Sequence, residues 1–379
     1  MSSIDTLIRQ VNALPHGSTK VEAARKLWHV AQNSINHVER FNALSATLQA
    51  VLFGGATDYF LALFPQYAGF RREHPEAVNL HDYVWRLKWL TANLLNYPEI
   101  PLERIIQAEK HYDESLREAG GDRRTAIYLA WQNAFDTGRL DLARELYPKF
   151  IQRNRDENSD CHACEIHALV RGALMVDKDP KAAIEAAKPL TNGRMRCATK
   201  PHATYGQIIL PVLLSGDADK ASIHHRKGYS LIRSNSYFLG TAGSHLAYLA
   251  AAGNADRFWR LFNVHLPWLD QNREPSSTLD FFQGAAVGCR LLAETGHRKR
   301  SVKPKLPAPW SQTWGAKPMS ILELTERLEH EASILSAAFD RRNGNTWRSD
   351  LMKGTWAKVR QHWQNLDPAA ESGADPANE

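Results

Sequence analysis

Apolar residues recur at spacings of three and four along most of the chain, whereas alternation at spacing two never extends beyond a few residues. The segment "HDYVWRLKWLTANLL" illustrates the pattern. Leu87, Leu90 and Leu94 fall on one side of a helix, and Trp85 and Trp89 fall on roughly the opposite side. A helix that is apolar on two sides packs between neighbouring helices. The pattern therefore predicts a chain that is nearly all helix.

A turn motif recurs within this helical pattern. The segments "TGRLDLA", "SGDADKA" and "AGNADRF" share a Gly shortly before a new helix, and "DKDPKAA" fits the same positions with Lys178 in place of Gly. These copies end at Ala143, Ala221, Phe258 and Ala183, and a weaker copy, "EIPLERI", ends at Ile105. From position 143 onward the steps are 40, 38 and 37 residues. Each copy predicts two antiparallel helices joined by a turn, in which Gly adopts a left-handed conformation.

These residues resemble the tetratricopeptide repeat, particularly its G-x-x-x-x-A element, with an aromatic residue four positions later at Tyr147 and Phe262. The resemblance covers residues 97–292, with a period longer than the usual length of about 34 residues. The segments "DCHAC", "PHATY" and "HLPWLD" add a resemblance to bacterial proteins that contain such repeats. The resemblance implies an all-α fold, a right-handed α-solenoid of helical hairpins with a period of about 37–40 residues and a C-terminal helical extension.

Composition shifts divide the chain into five predicted parts. Residues 1–75 form an N-terminal helical capping region, and residues 76–296 form the repeats. Residues 297–318 form a basic, proline-rich linker. Residues 319–366 form C-terminal helices that start with Ser320 and Glu323 in a capping-box pattern. Residues 367–379 form a disordered acidic tail.

Composition limits the compartment and the class of partner. In 379 residues there is no signal-peptide pattern and no apolar run of membrane-spanning length, so we expect a cytoplasmic protein with no membrane partner. The net charge is +6, and the segment 298–305 contributes five cations: Arg298, Lys299, Arg300, Lys303 and Lys305. This segment could bind nucleic-acid phosphates while Trp310 and Trp314 stack on bases. We favour a solvated linker whose tryptophans pack back onto the repeats.

The strongest chemical pattern is Cys161-x-x-Cys164 followed by Cys197 and, five positions later, His202. Three thiolates and one imidazole suit tetrahedral zinc. The interval between the two halves is about one repeat, so the four ligands could meet between consecutive hairpins. Two alternatives stay open: thiols packed in a helical core, and a redox CxxC pair. Cys289, in an apolar helix, is expected in the core.

Histidines define a second candidate site. His225, His245 and His265 are 20 residues apart, close to one helix per step. With Tyr229 and Arg233 they could line a polar groove that binds a peptide or an anion, although chance alignment among 16 histidines is the simpler reading. We predict partner-binding residues His225, Tyr229, Arg233 and His245.

No P-loop, dinucleotide fingerprint, nucleophile elbow or His-Glu-x-x-His pattern is present. We therefore expect no catalytic residues and no cofactor other than a structural zinc ion. The sequence favours a non-catalytic scaffold or adaptor that binds a protein or peptide partner on the concave face of the repeats. The alternative is a nucleic-acid-associated subunit of a regulatory or defence complex that uses residues 298–305.

Overall fold

The computed structural model describes residues 3–298, 300–308, 310–315 and 317–366. Over these residues the protein is all-α, with 75% of the chain helical and almost no strand, as the periodicity predicts. The predicted disordered tail, residues 367–379, lies outside the described residues. None of the described helices combines the length and the apolar character that crossing a membrane requires.

The first four helices form the N-terminal region: α1 (Ser3–Ala13), α2 (Ser18–Ala31), α3 (His37–Leu52) and α4 (Thr57–Glu73). Their apolar faces meet in one cluster, in which Leu27, Leu48 and Phe60 are fully buried. Thr47 also donates a hydrogen bond to the carbonyl of Ala24, which ties α3 to α2. The cluster continues onto the following helices, so this region packs as the start of the array.

Each of the five predicted turns joins two helices. The hairpins are α5 (Leu80–Leu94) with α6 (Leu102–Glu118), α7 (Arg124–Asp136) with α8 (Leu140–Ile151), α9 (His162–Met175) with α10 (Pro180–Ala186), α12 (His202–Leu214) with α13 (Ala218–Ile232), and α14 (Leu239–Ala251) with α15 (Ala255–His265). Short helices lie between hairpins, namely α11 (Lys188–Thr191) and a 3₁₀ turn (Ser236–Phe238). The helical-hairpin prediction is confirmed.

The turns have the backbone that the motif requires. Gly138, Gly216 and Gly253 have φ angles of 77°, 92° and 71°, a region that a side chain makes costly. Lys178 takes the equivalent position in the α9–α10 turn with φ of 54°. The residues that end the motif are all 0% exposed: Ile105, Ala143, Ala183, Ala221 and Phe258. The repeated small or apolar residue therefore packs the second helix of each hairpin into the core.

The remaining elements follow the hairpins. They are α16 (Trp268–Gln271), α17 (Pro275–Leu292), a π-helical turn (Ala293–His297), β1 (Ser301–Val302), α18 (Trp310–Trp314), β2 (Met319–Ser320), α19 (Ile321–Asn343) and α20 (Trp347–Leu366). The two short strands pair antiparallel, with Ser301 opposite Ser320. Ser320 also accepts a hydrogen bond from the backbone of Glu323 and caps α19, as predicted. The pairing of β1 with β2 therefore holds the start of segment 297–318 next to the start of α19.

The two tryptophans of this segment pack against α17. Trp314 is buried, and its indole donates to Glu331 at 3.3 Å. Trp310 contacts the ring of Phe282 edge-on, with 5.7 Å between centroids. These rings are held by the protein core, so the structure does not present them for stacking on nucleic-acid bases.

Helix α20 covers a surface that the repeat pattern assigned to a partner. It packs against α12 and α14, which are first helices of consecutive hairpins, and against α17. Its apolar residues Met352, Trp356 and Trp363 contact the C-terminal core. In this structure the protein's own helix therefore occupies part of the face formed by the first helices of the hairpins.

The N-terminal and C-terminal halves also contact each other directly. The side chain of Asn235 donates to the carbonyl of Phe53 at 3.3 Å, and the backbone of Ser276 donates to Asn96 at 3.2 Å. Arg342 of α19 donates to the carbonyl of Leu95 at 3.0 Å. These bonds join α3 and α5 to elements that follow them by 180 residues or more.

Candidate metal centre

Two segments bring three thiols together. Cys161 is the residue before α9, Cys164 lies in the first turn of α9, and Cys197 lies in the loop before α12. The backbone N–H of Cys197 donates to the carbonyl of Lys200 at 2.8 Å, which closes a turn around this cysteine. The sulfur atoms of all three residues lie within 4.8 Å of one another. The cysteines that the sequence paired across one repeat therefore converge in the structure.

The sulfur spacing fits a metal site better than a disulfide. The Sγ atoms of Cys164 and Cys197 are 3.7 Å apart. Two thiolates on one tetrahedral zinc ion lie about 3.8 Å apart, because each Zn–S bond is about 2.3 Å long. A disulfide would require about 2.05 Å. Cys161 is exposed, and Cys164 and Cys197 are half-buried, so an ion could enter from solvent.

The three thiols differ in how readily they ionise, because the pKa values of Cys161 and Cys164 are raised and that of Cys197 is lowered. Cys161 and Cys164 stand at the N-terminus of α9, where the helix dipole stabilises a thiolate. Hydrogen bonds from Cys161 and Cys164 lower the pKa of Cys197, whereas bonds with Cys161 and Cys197 raise the pKa of Cys164. Burial lowers the pKa of Lys200, although the charges of Cys164 and Cys197 oppose that shift. Cys197 is therefore the thiol that ionises first.

Buried polar contacts hold the two segments in place. His167 of α9 lies 3.0 Å from the hydroxyl of Thr204 in α12, which ties the two helices. Burial keeps the pKa of His167 well below its usual value, so this contact is made by a neutral imidazole. Arg124 forms two bonds with Glu165, one of them 2.9 Å long, beside Cys164. This set of contacts positions the thiols without help from an ion.

His202, the fourth predicted ligand, begins α12 but is not part of the group of ligand atoms that lie within 4.8 Å of one another. Its ring lies parallel to that of Phe238, with 5.1 Å between centroids, and burial lowers its pKa. Its Nδ1 atom is buried and has no hydrogen-bond partner. The structure thus brings together three of the four predicted ligands and leaves His202 nearby with an unused nitrogen. Cys289 is fully buried in α17, as predicted.

The predicted partner-binding residues do not line an open groove. His225 and His245 are 2% and 0% exposed, and their Nδ1 atoms are 2.9 Å apart between α13 and α14. Tyr229 is half-buried and stacks on His225, with 5.9 Å between centroids. Arg233 is exposed. The two histidines face each other where α13 packs on α14, so a ligand at this surface would meet Arg233 and the edge of Tyr229.

Compared with known proteins, the chain matches no family model, no curated protein and no solved structure. The geometry of the site therefore carries the functional argument.

Sequence reasoning missed the charged groups around the thiols. Lys88 in α5 pairs with Asp160 at 2.6 Å, and Arg155 pairs with Glu165. Asp160 and Glu165 flank the CxxC motif. These acidic residues beside the cysteines were the signal in the sequence that could have indicated ion pairs around the thiols. The partner of Asp160 could not be found from local sequence because Lys88 is 72 positions away.

Proposed function

We propose that the protein is a non-catalytic scaffold of tetratricopeptide-like helical hairpins in a right-handed α-solenoid, that a structural zinc ion joins two of the hairpins, and that it binds a protein partner. The observation that carries the proposal is the convergence of Cys161, Cys164 and Cys197 from consecutive hairpins to within 4.8 Å. A thiolate-rich set of ligands is typical of structural zinc. An ion at this point would join the start of α9 to the loop before α12.

His202 completes the coordination shell in this proposal. The support is its position five residues after Cys197 and its buried, unpartnered Nδ1. Coordination requires a change of side-chain position, since its ring nitrogens lie outside the thiol group in this structure. With four protein ligands the ion has no open position for a substrate, which favours a structural role.

Elemental analysis of the purified protein tests the zinc proposal. We expect about one zinc ion per chain, because the four proposed ligands complete a single tetrahedral site. Cys164→Ser should lose the ion and lower Tm, whereas the matched variant Cys289→Ser, in the core, should keep it. A zinc content that is the same in both variants would contradict the site.

A second pair of variants tests the fourth ligand. His202→Ala should weaken zinc binding by more than the roughly 10–100-fold that loss of an outer-shell partner costs. His162→Ala removes an exposed imidazole next to Cys161 and should leave the affinity unchanged. Equal affinity in His202→Ala and the unmodified protein would leave a three-cysteine site with a solvent ligand.

The proposed partner surface is the outer side of α13 and α15. Ile223, Leu231 and Val264 are 41%, 40% and 52% exposed there, although each is a large apolar residue. Ile223 and Leu231 lie on α13, the helix that also carries Tyr229 and ends at Arg233, two of the predicted partner-binding residues. Affinity purification with Leu231→Asp/Val264→Asp should lose a partner that the unmodified protein retains. Ile334→Asp, at an exposed position on α19, is the control and should retain it.

Nucleic-acid binding is the second candidate, favoured by the position of the basic segment 298–305. Arg298, Arg300, Lys303 and Lys305 are exposed, and Lys299 lies outside the described residues. The backbone of Lys305 donates to Asn263 of α15 at 3.3 Å, so the segment lies along the helix that carries Arg260. Arg300 pairs with Asp256 of α15 at 3.6 Å, so Lys303, Lys305 and Arg260 are the cations that would meet a phosphate backbone.

Retention on oligothymidylate between about 50 and 200 mM salt tests this candidate. Lys303→Glu/Lys305→Glu should reduce binding and flatten the salt dependence, because each phosphate contact contributes a slope of about 0.7 for a single strand. Lys26→Glu/Lys110→Glu makes the same change of charge on distant exposed helices and is the control. Equal retention of both variants would exclude a role for the segment.

A further inference from the structure

Arginines from two helices converge on the hydroxyl of Tyr229. Helices α13 and α15 are the second helices of consecutive hairpins, and the ring of Tyr229 lies edge-on to that of His265, with 5.6 Å between centroids. Burial raises the pKa of Tyr229, and the charges of Arg257, Arg260 and Arg233 oppose that shift. Because such an effect weakens with distance, the three guanidinium groups lie near this hydroxyl. Arg233 follows Tyr229 by four positions and Arg260 follows Arg257 by three, so each pair lies on one side of its helix.

The three arginines, here called the arginine cluster, lack acidic partners. None of them forms an ion pair with, or donates a side-chain hydrogen bond to, a residue that the structure describes. Asp256, the acidic residue of α15, pairs with Arg300 at 3.6 Å. Asp219, the acidic residue of α13, precedes Arg233 by 14 positions, which is about 21 Å along a helix. The two helices therefore do not neutralise the charge of the cluster.

The hydrogen-bond donors of the cluster are accessible. Arg233 and Arg260 are exposed, and Arg257 is half-buried. The Nε atom of Arg257 is enclosed, whereas its two terminal nitrogens are open to solvent and bond to no described residue. The Tyr229 hydroxyl is also open and has no partner among the described residues. Guanidinium groups only donate hydrogen bonds and keep their charge, so the arginines cannot satisfy one another and an anion would supply the acceptors.

A phosphoryl group fits these donors better than a carboxylate does. It carries a charge of about −1.5 to −2 and three strong acceptor oxygens, whereas a carboxylate carries a single charge on two oxygens. The planar guanidinium group also matches phosphoryl oxygens in pairs. We propose that the protein partner is phosphorylated and that its phosphoryl group binds at Arg233, Arg257 and Arg260. The Tyr229 hydroxyl donates a further hydrogen bond to it.

An apolar neighbour indicates that this phosphoryl group belongs to a peptide. Val264 follows Arg260 by four positions, so it lies on the same side of α15, and it is 52% exposed. A peptide can place an apolar side chain on Val264 beside its phosphorylated residue, whereas a nucleic-acid strand presents a charged phosphate at every step. The inference rests on the proposed scaffold function, because both assign the partner to α13 and α15.

Fluorescence polarisation with degenerate peptide pools tests the proposal. The pools carry phosphoserine, phosphothreonine or phosphotyrosine at a fixed central position, and matched pools carry the unphosphorylated residue or glutamate there. We expect at least one phosphorylated pool to bind at least about tenfold more tightly than both of its matched pools. Failure of all the phosphorylated pools to do so would overturn the proposal.

Two competitors identify the source of the phosphoryl group. Inorganic phosphate and oligothymidylate should each displace the phosphorylated pool only well above the concentration at which the unlabelled pool displaces it. Displacement by inorganic phosphate at the same concentration would assign the cluster to the free anion, and displacement by oligothymidylate at the same concentration would assign it to nucleic acid. Either result would overturn the peptide assignment.

Variants test the location. Arg257→Gln and Arg260→Gln should each weaken binding of the phosphorylated pool at least about tenfold, while the unphosphorylated pool binds as before and the circular dichroism spectrum stays unchanged. Arg257→Lys keeps the charge but loses the paired donors and should also bind more weakly. Arg72→Gln, at an exposed position on α4, is the matched control and should bind normally. Normal binding by both glutamine variants would overturn the assignment.

Phosphatase treatment of the lysate separates this inference from the scaffold function. We expect a partner retained by the unmodified protein to be lost after the treatment. A partner that is retained after the treatment, but lost with Leu231→Asp/Val264→Asp, would keep the scaffold function and overturn phosphoryl recognition. Tight binding of a phosphorylated pool with no partner retained from lysate would support the phosphoryl site and count against the scaffold function.

Discussion

The Nζ atom of Lys88 lies 2.6 Å from Oδ1 of Asp160, the residue directly before Cys161. Both side chains are largely buried, at 3% and 13% exposure. The ammonium group of Lys88 also lies 3.6 Å from the ring centre of Trp85. The pair fixes the point from which the thiol-bearing segment enters α9, so α5 supports a site in a hairpin far from it in sequence.

Removing the cation of this pair should be costly. Lys88→Met leaves the Asp160 carboxylate buried without its paired cation, so we expect the free energy of unfolding to fall by about 3–5 kcal/mol. Urea unfolding measures this loss. Lys26→Met breaks an exposed pair with Glu22, whose side chain is 70% exposed, and should cost less than about 1 kcal/mol. Similar losses in both variants would show that the Lys88 pair contributes no more than a surface pair.

The close approach of α14 and α17 depends on two glycines. A Cβ atom on Gly284 would lie 2.1 Å from the carbonyl oxygen of Gly243, a backbone atom that cannot move aside cheaply. Gly284→Ala should therefore lower the free energy of unfolding by at least the 1–3 kcal/mol that is roughly typical of overpacking. Gly354→Ala has nothing within 4 Å of the new methyl group and lies inside α20. That control should raise stability by about 0.5–1 kcal/mol, and a loss there would contradict the packing argument.

The turn between α9 and α10 contains a strained lysine. Lys178 has φ of 54°, in the region where a side chain costs roughly 1–2 kcal/mol. Lys178→Gly should raise the free energy of unfolding by about 1 kcal/mol once the greater freedom of Gly in the unfolded chain is included. Thermal and urea unfolding measure the gain. Lys181→Gly, in the first turn of α10, should instead destabilise by about 1 kcal/mol. A loss in both variants would mean that Lys178 makes a stabilising contact.

The buried histidines should make stability depend on pH. Burial lowers the pKa of His225 to about 3 and that of His265 to about 4, and it holds His245 well below its usual value. The charges of Arg257 and Arg226 add to the shift at His225. Because the unfolded chain binds protons near pH 6.5 and the folded chain does not, stability is full above that pH and falls below it. Each histidine should remove about 1.4 kcal/mol per pH unit below pH 6.

Urea unfolding at a series of pH values between pH 7.5 and pH 5 measures this slope. His265→Gln removes one titrating group and should reduce the slope by about one third of the contribution of the three histidines. His29→Gln changes an exposed histidine and should leave the slope as it is. A slope unchanged in His265→Gln would show that this imidazole titrates equally in the folded and unfolded states.

Local patterns predicted the helices and the hairpin turns, because both depend on residues a few positions apart. The Gly positions 138, 216 and 253 and the buried Ala143 and Ala221 are examples. The convergence of Cys197 with Cys161 and Cys164 was also predictable, since the interval is about one repeat. The 20-residue step predicted that the histidines lie on successive helices. It did not indicate which side of its helix each histidine faces, so it did not predict that His225 and His245 are buried.

Contacts between distant elements were not predictable from local patterns. Nothing near Arg342 indicates that it bonds to Leu95, and nothing near Arg348 indicates that it lines a cavity with Gln132. The position of α20 follows from the shapes of several packed helices. Periodicity shows that α20 has an apolar face and does not show which helices cover it.

The packing of α20 has a consequence for synthesis. Helices α12, α14 and α17 leave the ribosome before α20, and 55 positions separate Leu292 from Trp347. At about 5–20 residues per second, that interval lasts roughly 3–11 s. During this time the surface that α20 later covers is open on the nascent chain. A chaperone, or a partner made at the same time, could reach that surface only in this interval, so the order of translation controls access to it.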